Sequence, residues 1–94
     1  MMKVTLVKKI LTDGSPCKKC ADVMDKLEAS DQMQYIDEIV IADERDDSSK
    51  GMQLAAKYNV KRAPFFIVEQ PGQKPEIYTI YFKFVKDIIE KNSR

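Results

Sequence analysis

The chain has 94 residues, with 16 Lys and Arg against 15 Asp and Glu, two Cys, and neither His nor Trp. The near-neutral balance gives no general attraction to nucleic acid or anionic lipid, and the missing His removes Cys–His and Ser–His catalysis together with most zinc sites. One compact domain spanning 1–94 is the expectation at this length.

Taken in chain order, Met2–Leu11 reads as a strand carrying Val4, Leu6, Val7, Ile10 and Leu11. Thr12-Asp13-Gly14-Ser15-Pro16 is a turn cluster. A helix then runs to about Ala29, with Ser15 as N-cap and Pro16 in the first turn. Its inner face is expected to carry Cys17, Cys20, Ala21, Met24 and Leu27. Ser30–Gln34 is a polar connection, and Ile36–Ala42 has the apolar content of a short strand buried on both faces. Asp43–Ser49 is an acidic loop leading to a second helix, Lys50–Tyr58, with Met52, Ala55, Ala56 and Tyr58 inward. Asn59 suits a left-handed position at that helix's end. Phe65–Val68 is a third strand with both Phe in the core, Gln70–Pro75 a turn, and Glu76–Thr79 the strand that returns as a hairpin. A last amphipathic helix runs from Tyr81 or Phe82 to Lys91, burying Phe82, Val85, Ile88 and Ile89, and Asn92-Ser93-Arg94 is expected to fray. Tyr78, Tyr81 and Phe82 fit either this packing or the border of a substrate groove. The order is β-α-β-α-β-β-α, an α/β chain.

No stretch reaches the roughly 20 apolar residues of a membrane span. Met1-Met2-Lys3-Val4-Thr5 lacks the apolar block of a signal peptide. A cytoplasmic protein making no contact with membrane is therefore expected. Its charges are segregated: Lys8, Lys9, Lys18 and Lys19 face only Asp13 in one stretch, whereas Asp37, Glu38, Asp43, Glu44, Asp46 and Asp47 accompany Arg45 alone in another.

Both cysteines fall in Cys17-Lys18-Lys19-Cys20. A bridge closing so small a loop staples nothing distant, and two ligands do not complete a structural zinc site, which takes four. On a helix, residues at i and i+3 share a face with Cβ atoms about 5–6 Å apart, near disulfide range. Redox chemistry fits that geometry. The first-turn N–H groups, the helix dipole and the two lysines all favour a thiolate at Cys17, and the thiolate is the nucleophile. Cys20, one turn deeper, is expected to stay a thiol. Read alone, the motif also fits an ordinary pair of helix cysteines or half of a metal site shared between chains.

The element order, the CxxC after the first strand and Pro64 opening the third strand together resemble the thioredoxin superfamily. Leu54-Ala55-Ala56-Lys57-Tyr58-Asn59-Val60-Lys61-Arg62-Ala63-Pro64 is similar to the family's helix–turn–cis-proline passage, and the Ser-Pro-Cys entry is more like glutaredoxins. The resemblance covers almost the whole chain. It implies a thioredoxin-like fold: a four-stranded mixed sheet in the order 2-1-3-4, with helices on both faces. It also implies roles, with Cys17 attacking, Cys20 resolving, and Pro64 lying opposite them while Ala63 offers backbone hydrogen bonds to substrate. Departures from the family are the Lys-Lys dipeptide, the missing Trp, and Leu11 where thioredoxins keep a buried Asp. The Gly-Gly pair by which glutaredoxins hold glutathione is also missing, so nothing here supports glutathione binding.

The function expected is that of a monomeric thiol–disulfide oxidoreductase. It would exchange the Cys17–Cys20 pair with protein or small-molecule disulfides, be recharged by a reductant, and need no cofactor or metal. Lys18, Lys19 and Arg62 would form a cationic rim that tunes the site and suits an acidic partner. The alternative is a non-catalytic adaptor that binds a protein through the Ala63-Pro64 groove. A dimer sharing an iron–sulfur cluster through Cys17 is a more distant one.

Overall fold

Two runs of four residues, Val4–Val7 and Phe65–Val68, are buried throughout. A strand with both faces out of water belongs in the middle of a sheet covered on both sides. In the computed structural model, which describes residues 2–92, these runs form the cores of β1 (Lys3–Ile10) and β3 (Phe65–Glu69). The two strands are antiparallel neighbours, Val4 opposite Val68 and Leu6 opposite Phe66. β2 (Glu38–Asp43) lies parallel to β1 with Leu6 beside Ile39, and β4 (Glu76–Tyr78) lies antiparallel to β3 with Phe66 beside Tyr78. The four-stranded sheet has the expected order β2-β1-β3-β4. Ser93 and Arg94, part of the tail expected to fray, lie outside the described residues.

Alternation along the strands divides the core in two. One face gathers Val4, Leu6, Phe66, Val68 and Tyr78 under Leu27 of α1 (Lys18–Ala29) and under Phe84, Ile88 and Ile89. The other gathers Val7, Val40, Ala42, Phe65 and Ile67 under Met52, Leu54 and Ala55 of α2 (Lys50–Lys57). α2 lies directly on β2, so close that any Cβ at Gly51 would strike the Ala42 backbone. After its C-cap at Tyr58, Asn59 turns the chain with φ 55, the left-handed conformation expected of it. Among the described residues no helix is long and apolar enough to cross a membrane.

Several expectations shift. Ile36–Ala42 is not buried on both faces. Its strand is an edge strand in which Val40 and Ala42 are buried while Ile39 and Ile41 are exposed. The helices on that side pack over residues of β1, β3 and β4 and include none of β2 in their core. On α1, Val23 joins Met24 and Leu27 at the core, and Ala21 is exposed. On α2, Leu54 faces inward in place of the exposed Ala56.

The largest change is at the C-terminal end, where α3 (Tyr81–Phe84) continues into a π-helical stretch (Val85–Ile89) and a last turn (Glu90–Asn92). Phe84, not Phe82, fills the core. Its ring stacks on Phe66 at 4.0 Å with an interplanar angle of 4°, and Tyr78 meets it edge-on at 6.0 Å. Phe82 stands two residues earlier, about 200° around the helix, and is 70% exposed.

Candidate active site

The turn after β1 fixes where the first cysteine emerges. Gly14, at φ 85, donates its N–H to Leu11 O at 2.9 Å, and Leu11 N–H donates to Ser15 O at 2.9 Å. The Ser15 hydroxyl donates to Asp13 Oδ1 at 2.6 Å, and Pro16 is bridged to Ile10. Neither opens the helix, contrary to expectation. α1 begins at Lys18, and Cys17 is its N-cap, with extended backbone and Sγ accepting the Cys20 N–H at 3.3 Å. The shift has a chemical consequence: the sulfur itself receives one of the free N–H groups at the helix start. Such a bond strengthens when the acceptor is charged, and the positive end of the helix dipole acts in the same direction.

Cys20 is 2% exposed, and Cys17 is half-buried. Both are tied to one residue near the end of β1: Cys17 N–H donates to Lys9 O at 3.3 Å, and Lys9 N–H donates to Cys20 Sγ at 3.4 Å. Burial, reinforced by the hydrogen bond with the Cys17 side chain, pushes the Cys20 thiol up to about 12, although the Lys9 N–H pulls the other way. Both thiols are free.

Cys17 opens onto a groove of about 620 Å³ that Ala63 and Pro64 also line. The Ala63–Pro64 peptide bond is cis. Leu11, Thr79 and Tyr81 also line the groove. The Tyr81 hydroxyl donates to Gln32 Oε1 at 2.6 Å. Of the cations named from sequence, Lys19 and Arg62 line the groove, whereas Lys18 stands in the exposed first turn outside it. Sequence reasoning passed over Lys26 and Lys61, which do line it. A signal for Lys26 was present: Lys19, Asp22, Val23 and Lys26 are spaced i, i+3, i+4, i+7, a single helical stripe. Tyr78 belongs to the core and not to the groove border.

No protein-family model matches the chain, and no curated protein matches it in sequence. Among solved structures it is similar to the thioredoxin of Fasciola hepatica, at 19% identity and a TM-score of 0.53 over 94% of this chain and 80% of that one. It is also similar to Deadhead, a germline-specific thioredoxin of Drosophila melanogaster, at 16% identity and a TM-score of 0.52 over 97% of this chain and 82% of that one. The fold is thioredoxin-like. In this thioredoxin-like frame β1 and β3 are adjacent, so the loop before β3 meets the loop after β1 at one end of the sheet. Residues far apart in sequence, Cys17 and Pro64, thereby share one groove.

Proposed function

We propose that the protein is a thiol–disulfide oxidoreductase in which Cys17 attacks a substrate disulfide and Cys20 resolves the product. The observation that carries this reading is the asymmetry of the pair. Cys17 is half-buried at the groove with its sulfur on a helix N–H, while Cys20 is buried beside it and holds its proton.

In the first step the Cys17 thiolate bonds to one substrate sulfur, the substrate S–S bond breaks, and the other half leaves as a thiolate that takes a proton from water. Cys20 then loses its proton to water and attacks Cys17 Sγ. The Cys17–Cys20 bond forms and the second substrate half departs. Two electrons have passed from the protein to the substrate. A dithiol reductant reverses the sequence and restores the pair. Burial is the main cause that keeps the proton on Cys20. Bonding of Cys17 to substrate removes a lesser one, the Cys17 charge, and so eases ionisation of the resolving thiol in part. The chemistry uses only sulfur and solvent protons. The Ala63 backbone, at the groove beside Cys17, would hold the extended substrate chain. Burial of Cys20 weighs against its serving a cluster shared between two chains.

The test is a single turnover of pre-reduced protein with a disulfide-linked peptide. The protein is expected to lose two hydrogens in mass as Cys17 and Cys20 join, with release of both peptide thiols. A peptide that binds and stays oxidised would instead support the adaptor.

A further inference from the structure

Resting on the exchange reading, we propose that the groove beside Cys17 selects disulfides whose reacting cysteine lies in an acidic peptide segment. Cations stand on both of its walls: Lys19 and Lys26 from α1, Lys61 and Arg62 from the loop before Ala63. Lys9 also lines it but is already neutralised by Glu44 at 3.2 Å. None of the other four has a carboxylate within ion-pair distance among the described residues. Asp22 is the one carboxylate in the lining.

This is a local arrangement, since the whole chain carries a net charge of only +1. Outside the groove Glu38 takes both Lys3 and Lys50, and Asp43 takes Arg45. Other lysines such as Lys74 and Lys83 also lack an ion pair among the described residues, but they do not line this concave surface, where four such cations gather. A concave surface lined by one sign of charge concentrates ligands of the other sign and speeds their encounter. It raises on-rate and discrimination more than it raises affinity.

The length of the site favours a peptide over a small anionic disulfide. The lining follows α1 from Cys17 at its N-cap to Lys26, nine residues and about 13 Å on, and also includes Thr79 and Tyr81. At that end Lys26 Nζ lies 5.7 Å from the Tyr81 ring centroid and 5.2 Å from that of Phe82. Beyond it Ile80 and Phe82 are 55% and 70% exposed. A small dicarboxylate would occupy the cations nearest the sulfur and leave this apolar shoulder bare. An extended chain with acidic residues around its cysteine reaches both. In the exchange step the substrate disulfide is reduced and the Cys17–Cys20 pair oxidised, as above; the cations bind and orient and take no part in the electron transfer.

The experiment compares two disulfide-linked peptides, identical except that Asp and Glu flank the cysteine in one and Asn and Gln in the other, in single turnover with pre-reduced protein. The acidic peptide is expected to react at least about tenfold faster at low salt. The ratio should shrink as ionic strength rises past about 0.15 M, where the screening length is about 8 Å. Lys61→Gln combined with Arg62→Gln should bring the ratio towards one. Lys74→Gln combined with Lys91→Gln, the same change in net charge at exposed positions outside the groove, should leave it in place. Equal rates for the two peptides, or an equal fall of the ratio in both double variants, would overturn the proposal. So would oxidised glutathione outpacing the acidic peptide, which would assign the cations to a small anion. Reduction of neither peptide would overturn the exchange reading itself, and this one with it.

Discussion

Cys20 keeps its proton because the sulfur is taken out of water, and that has a consequence for stability. A thiol raised to about 12 is still protonated in the native state at pH values where the unfolded chain, titrating at about 8.5, has lost its proton. The native state therefore binds the extra proton. Stability is at its full value below about pH 8.5 and is lost as pH climbs towards 12. Urea unfolding of the reduced protein between pH 8 and pH 10.5 is expected to show a steeper loss for wild type than for Cys20→Ala. The difference is bounded by about 1.4 kcal/mol per pH unit for one group. Tyr78, also pushed up to about 12 and chiefly by burial, contributes to both proteins and cancels. Parallel pH curves would mean that the Cys20 sulfur is hydrated. The pairing of an outer and an inner cysteine was legible in the CxxC spacing; the identity of the helix cap was not. Ser15 is the better cap by residue type, but its hydroxyl is held by Asp13, a competition that no propensity scale contains. The sulfur of Cys17 took the place.

At the scale of elements, the interior strands were read correctly because β1 and β3 are buried on both faces, β3 as a continuous apolar run and β1 as one interrupted only by the buried Thr5. The edge strand was misjudged because Ile39-Val40-Ile41 has the same composition without the same cover. Composition reports that a strand is apolar, and the helices above it decide whether it is buried. The C-terminal segment was misphased for a related reason. Phe82, Val85 and Ile89 keep helical spacing, but so do Tyr81, Phe84, Val85 and Ile88, the set that packs inward. Spacing alone does not choose between them, and the fit of Phe84 against Phe66 and Tyr78 decides. Two substitutions separate the alternatives. Phe84→Ala, which removes a ring stacked on Phe66, should cost about 3–5 kcal/mol in unfolding free energy. Phe82→Ala should change it by no more than about 0.5 kcal/mol, as at an ordinary surface position. Chemical denaturation of both variants gives the answer, and a reversed order would put Phe82 in the core instead of Phe84.

Over the whole molecule, the strand order was expected from the resemblance to the thioredoxin superfamily, and the right-handed crossover rule accounts for one part of it, the parallel pairing of the first two strands. Cys17 and Pro64 meet because β1 and β3 are neighbours in that order. The cationic walls of the groove were only half legible. Their members come from one face of α1 and from the 61–62 loop, and a linear charge count gives weight to Lys18, which stands outside, over Lys26, which lines the site. The central claim is that the two cysteines divide the work of exchange, one attacking from the groove and one resolving from beneath. The most direct measurement is the intact mass of each single-cysteine variant after mixing with a disulfide-linked peptide. Cys20→Ser is expected to gain the mass of one peptide half and to hold it until an external thiol is added, because attack proceeds and no resolving thiol follows. Cys17→Ser is expected to gain nothing, its buried Cys20 being neither ionised nor accessible. An adduct on Cys17→Ser with none on Cys20→Ser would contradict the account.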